Sequence, residues 1–130
     1  MKKSDIAAAL VTALKPTVSN RVYRNVFPQP PAAPVWPSIR YTFVSVASNQ
    51  DICGDGGEET ADYRVQIDVV DLESKGPTSF AALTDAVKAA LAALQPIYVH
   101  DSESESFDLD TKTTMLSMDY LIYPSSPATP

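Results

Sequence analysis

From Tyr63 to Leu72 the chain alternates. Tyr63, Val65, Ile67 and Val69 are apolar, and Arg64, Gln66 and Asp68 stand between them. That period of two predicts a strand with one covered face. Ser38 to Ala47 predicts a second strand: Ile39, Tyr41, Phe43 and Ser45 alternate with Arg40, Thr42, Val44 and Val46. Apolar residues fall on both of its faces, so it is expected to be covered on both. Beyond a Gly76-Pro77 break the period changes. Phe80, Leu83, Val87, Leu91 and Leu94 recur at steps of three and four. This predicts a helix to Leu94 or Gln95, with Pro77 at its first position and alanines beside the stripe for close packing on a sheet.

A first helix is predicted from a Ser4 cap to Leu14 or Lys15, with Ile6, Leu10, Ala13 and Leu14 on one face. Pro16 ends that pattern, and residues 17–20 form a turn. Ile97 to about Phe107 and Met115 to Tyr123 read as a final strand pair, joined by a turn at Asp108–Lys112. Leu116, Met118, Tyr120 and Ile122 form the inward face of the last strand. The order α-β-β-α-β-β predicts an α+β fold, with two helices packed on a four-stranded antiparallel sheet. It occupies one domain over residues 1–123, followed by a loose Pro/Ser tail at 124–130.

The run RVYRNVFPQPPAAPVWPSIRY, from Arg21 to Tyr41, breaks this regularity with Pro28, Pro30, Pro31, Pro34 and Pro37. Proline fixes φ and removes a donor, so the run fits neither a helix nor a central strand. An extended arm is expected over Arg21 to Pro37, its prolyl part beginning at Arg24, with Trp36 exposed near its end. An apolar arm in a short chain suits clasping another molecule.

Composition narrows the picture. The 130 residues are 45% apolar, enough for a modest core. No apolar run is long enough to cross a bilayer, and no membrane partner is expected. The N-terminus faintly imitates a signal peptide, but Asp5 interrupts its basic region and Lys15-Pro16 replaces the small cleavage residues. Cys53 stands alone, which excludes an intrachain disulfide and a Cys-based zinc site within one chain, so cytoplasmic folding is the default.

The net charge of −6 is unevenly spread. Residues 1–40 hold six basic side chains against Asp5, a balance of +5, and the remainder balances at −11. Two readings stay open: a solvated acidic surface with scattered bases, or opposite signs on two surfaces through which copies associate head to tail. Direct nucleic-acid binding wants a basic patch and is not expected.

Three constellations invite chemistry. Asp51, Cys53, Asp55 and Gly56 imitate the start of a calcium loop, but Cys53 and Asp62 occupy positions where oxygen ligands and a bidentate Glu belong. A mobile hairpin loop fits better. Asp101, Glu103, Glu105, Asp108 and Asp110 form an acidic run; on a regular strand the first three share a side. That run reads either as a solvated edge that blocks strand pairing, or as a docking face for Arg21, Arg24 or Arg40 of a neighbouring copy. His100 beside Asp101 reads as an edge-strand residue. No phosphate loop, HExxH or Gly-framed serine accompanies it, and Cys53 has no basic neighbour to activate it. No enzyme, metal or cofactor is expected.

Taken in order, RVYRNVFPQ with its prolines, PSIRYTFVSV, a Gly/acidic loop, YRVQIDVVDL, FAALTDAVKAALAAL and MLSMDYLIYP resemble the tail-completion or tail-terminator proteins of long-tailed bacteriophages and prophages. The resemblance covers about residues 4–124. It implies a structural virion protein, commonly a hexameric ring at the head-proximal end of the tail tube, located in the tail or neck and in the host cytoplasm during assembly. The ring halts tube polymerisation and offers a joining surface to neck or connector proteins. The expected subunit contact sets Arg21, Arg24, Trp36 and Arg40 against Asp101, Glu103, Glu105 and Asp108 of the next copy. Alternatives are another neck or connector component, a monomeric adaptor presenting PQPPAAP to an aromatic groove, and a metal-dependent activity at Asp51–Asp62 or Asp101–Asp110.

Overall fold

Ile6, Leu10, Leu14 and Val18 recur every fourth residue, and all four are fully buried. In the computed structural model, which describes residues 3–28, 34–48, 61–94 and 98–122, they line helix α1 (Lys3–Leu14) and the 3-10 turn Lys15–Val18 that extends it. Because α1 begins at Lys3, Ser4 lies inside its first turn and is not the cap. Pro16 is accommodated in the 3-10 turn, where its missing N–H costs little. The turn closes through Ser19 and Asn20, both at positive φ, with Asn20 N–H donating to Lys15 O at 2.9 Å.

Helix α2 (Pro77–Ala92) starts on Pro77 after Gly76, whose φ of +87° favours glycine. Its buried stripe is Phe80, Thr84, Val87 and Leu91, with Leu83 and Leu94 half-buried beside it. Thr84 is tolerated in that stripe because its hydroxyl donates to Ala81 O at 3.0 Å.

The sheet has five strands, not four, and is mixed, not antiparallel. Its strands are β1 (Val22–Arg24), β2 (Ser38–Ser48), β3 (Ala61–Leu72), β4 (Tyr98–Asp108) and β5 (Thr113–Ile122), in the spatial order β1-β2-β3-β5-β4. The unexpected strand is β1, which runs parallel to β2 with Val22 opposite Ile39 and Arg24 opposite Tyr41. It lies upstream of Pro28, the first proline of the run, and keeps its N–H groups. A parallel neighbour requires a crossover of a dozen or so residues, and the proline-rich stretch between β1 and β2 is that crossover. The other pairings are antiparallel.

Helix residues and one sheet face share a single core. Ile39 and Tyr41, the alternating set Tyr63–Val69, and Leu116, Met118, Tyr120 and Ile122 pack against the stripes of α1 and α2. Fully burying a Leu, Ile or Val contributes about 1.5–3 kcal/mol each, so these stripes hold the two layers together. The opposite face carries Arg40, Thr42, Arg64, Gln66, Asp68, Ser117 and Asp119. Covering on both faces of β2 therefore holds only in part, and Val44, at an irregularity in the β2–β3 register, is 51% exposed.

Candidate functional site

The two sheet edges carry the residues singled out for contact with a partner. At the β1 edge the arm folds back on its own chain at both ends. Tyr23, opposite Arg40 on the face away from the helices, lies edge-on to Phe27 at 6.2 Å, and Phe27 lies edge-on to Trp36 at 5.2 Å. Trp36 is half-buried there, followed by a cis bond to Pro37. Arg21 Nε–H donates to Pro37 O at 2.8 Å and ties the entry of the arm to its exit. Ser38 Oγ–H donates to Val35 O. The stretch 29–33, with most of PQPPAAP, lies outside the described residues.

The basic residues at this edge are used differently. Arg40 donates from Nε and Nη2 to Asp68 Oδ2, at 2.8 and 2.6 Å, and its guanidinium stands 5.0 Å over the Phe27 ring. Arg24 is exposed, with its guanidinium 5.5 Å over Phe43. Among the described residues neither Arg21 nor Arg24 has an ion pair.

At the β4 edge the acidic run does not keep one side. The β4–β5 register slips between His100 and Ser102, and Asp101 is the extra residue. The bulge sends Asp101 to the face away from the helices, where it accepts from Arg64 Nη1 at 2.9 Å beside Asp119 at 3.5 Å. The Asp101 hydrogen bond, opposed by partial desolvation, raises the pKa of the Arg64 guanidinium. Glu103 and Glu105 stand opposite Met118 and Leu116, on the helix side. Glu103 accepts from Lys88 Nζ of α2 at 2.8 Å and from His100 Nε2 at 3.1 Å. The Lys88 hydrogen bond holds the Glu103 carboxyl below the ordinary glutamate value against the opposing effect of desolvation, and the charges of Lys88 and His100 add to the lowering. His100 is thus partnered by Glu103, and it lies edge-on to Tyr120 at 5.2 Å. Burial, aided by Glu103, pushes the Tyr120 phenol up to about 12.

Beyond β4 the hairpin tip is open. Asp108 Oδ1 accepts from Asp110 N–H at 3.0 Å and shapes the turn, and Lys112 turns at positive φ. Phe107, near the end of β4, and Leu109, in the turn, are 52% and 75% exposed. Glu105 and Glu103 also border a shallow groove of about 220 Å³ between α2 and β4, with Phe80, Lys88 and Thr114. Glu73 receives the Thr114 hydroxyl at its rim.

The calcium-like loop, Cys53 included, lies outside the described residues. Among the described residues no group of three His, Cys, Asp or Glu side chains converges to hold a metal ion. Sequence reasoning missed Asp68, fully buried and bonded by Arg40 and Gln66, and Arg64, which ties Asp101 to Asp119. The only signal was a row of polar letters on the β3 face away from the helices. What the two edges offer chemically is binding: an aromatic and basic shelf on one side, an acidic hairpin with apolar tips on the other.

No curated protein matches the chain. Among solved structures, a chain of the virion of a native gene transfer agent (GTA) particle superposes with a TM-score of 0.63 at 17% identity, covering 89% of this chain and 91% of that one. The two share a fold. The family model described as tail completion protein gp17 matches residues 8–123, from α1 through the end of β5. The chain belongs to that tail completion family.

Proposed function

We propose that this chain is a non-enzymatic structural protein of a phage-type tail. It assembles in the host cytoplasm as a ring, six copies in the usual arrangement, on the head-proximal end of the tail tube. There it stops tube polymerisation and presents a joining surface to neck or connector proteins. The observation that carries this reading is the match of a tail completion family over nearly the whole chain. The unlike edges of the sheet support it, since a contact between two different surfaces of identical copies is heterologous and closes into a ring when its rotation allows.

Arg40, Asp101 and Glu103 spend their charge on partners within the subunit. The contact between copies therefore falls to Arg21, Arg24 and Trp36 on one edge and Glu105 and Asp108 on the other. The test is tube length. With the protein added, polymerising tail-tube protein should give capped tubes that stop growing; an unchanged length distribution would sink the terminator role.

A further inference from the structure

Among the described residues the large exposed apolar side chains, apart from Val44 and Val99, fall at two places on opposite edges of the sheet. Val26 and Val35, 58% and 59% exposed, border the Tyr23–Phe27–Trp36 cluster at the β1 edge. Phe107, near the end of β4 and opposite Thr114, and Leu109, in the turn that follows, stand at the hairpin tip. A scattered exposed Val needs no explanation, whereas apolar residues gathered at a shelf and at a tip do.

The two places cannot meet within one chain. Four strand spacings separate β1 from β4, about 19 Å. The Trp36 end of the shelf lies near the level of the tip, and Tyr23, opposite Arg40 and so level with Asp68, Ser117 and Ser104, lies about four residues further along. Asp108 is opposite Thr113 and Thr113 opposite Leu72, while Ser38, two residues after Trp36, is opposite Val70. A contact between the Trp36 end of one edge and the tip on the other needs little rise between successive copies, and it closes a ring where its rotation allows.

Their charges are complementary too. Arg21 and Arg24 flank the shelf without ion pairs among the described residues, and Asp108 and Asp110 bracket Leu109 at the tip. Lys112 at the base of the turn offsets one of those acids. Arg40 is turned inward to Asp68 and presents its other side to Phe27.

We propose that the Phe107–Leu109 tip of one copy seats against the Tyr23–Phe27–Trp36 shelf of the next, with Asp108 and Asp110 set against Arg21 and Arg24. This rests on the ring reading above and names the anchors of its contact. A few buried aromatic and apolar anchors carry most of the binding energy of a protein interface, and rim charges set orientation.

The test uses the full chain with Cys53→Ser as background, so that introduced thiols are the only ones. Leu109→Cys and Val35→Cys variants are mixed and treated with a short bis-maleimide, while light scattering follows the mass of untreated samples over a range of concentrations. Expected are cross-links between the two variants and none in either alone. The Leu109→Cys/Val35→Cys double variant should give a covalent ladder. Phe107→Ser/Leu109→Ser should raise the concentration for half-assembly at least about tenfold, with an unchanged melting temperature because both side chains are exposed. Cross-linking of Leu109→Cys to itself would overturn the head-to-tail contact. An assembled species near 84 kDa, six times the 14.0 kDa chain, with no cross-link would overturn this contact and leave the ring standing. A monomer with no cross-link, even on tail tubes, would overturn both.

Discussion

Arg40 of β2 reaches across to Asp68 of β3, its Nη2 2.6 Å from a carboxylate that has no solvent exposure. The side chain of Arg40 keeps 28% exposure, so the pair is buried at one end and wet at the other. Gln66 Nε2–H supplies the other carboxylate oxygen at 2.9 Å, and the Arg40 Nη2 also approaches Met115 Sδ at 3.9 Å. A buried carboxylate stripped of its cation is costly because it has lost water and keeps only the Gln66 hydrogen bond in return. Arg40→Ala should therefore cost about 3 kcal/mol in urea unfolding at neutral pH. Arg40→Ala/Asp68→Ala should recover part of that loss. Equal destabilisation by the single and the double variant would show that the ion pair is not the source.

The Asp101 bulge separates two ion-pair systems, and only one of them touches a helix. Glu103 links β4 to Lys88 of α2, and its carboxyl titrates below the ordinary value. A folded-state pKa below the unfolded one adds stability that is complete above the unfolded value and is lost as pH falls through the folded one. The affected window thus lies in acid, at and below the ordinary 4.5. Glu103→Gln should flatten the acid limb of melting temperature against pH. At pH 7 the loss should be under about 1 kcal/mol, since the pair is exposed. High salt should shrink the difference; a loss that salt leaves untouched would point to packing instead.

Tyr120 gives the opposite limb. Its phenol is pushed from 10.0 to about 12 chiefly by burial, and the Glu103 charge adds to this. A raised acid pKa means stability that is whole below the unfolded value of 10.0 and is lost as pH climbs towards 12. Each pH unit in that window removes up to about 1.4 kcal/mol. Tyr120→Phe should lack this component of the alkaline slope, and ultraviolet titration should lose a phenolate step near 12. An alkaline slope identical in the two proteins would remove Tyr120 as its cause.

Which features could be read in advance follows from what periodicity encodes. The stripes of α1 and α2 were legible because a helix face is local: Ile6, Leu10 and Leu14, or Phe80, Val87 and Leu91, declare themselves without reference to any other element. Strand β1 was not, because Val22–Arg24 is too short for a period and pairs with a segment beyond five prolines. The bulge at Asp101 is also silent in the sequence, since Ser and acidic residues alternate identically in either register. The split of charge between the first forty residues and the remainder was visible. Its division into charges paired at home, such as Arg40 and Asp101, and charges with no ion pair among the described residues, such as Arg24, depends on strand register and crossover path. Those are long-range properties, and composition does not carry them.

Arg21 and Arg24 therefore separate folding from assembly in a way that charge counting alone would miss. Arg24 is exposed, and its contact within the subunit is the Phe43 ring, an interaction worth about 0.5–1 kcal/mol at an exposed site. Arg21 closes the arm by donating to Pro37 O, a hydrogen bond worth about 1 kcal/mol. Arg24→Glu should weaken association between copies while shifting the unfolding midpoint little. Arg21→Glu should weaken association and also loosen the arm, seen as faster amide exchange at Val35, Trp36 and Ser38. Arg21→Lys should restore the charge but not the Nε geometry, so association should recover further than the exchange protection does. Unchanged association in both reversals would remove the β1 edge from the interface and leave membership of the tail completion family untouched.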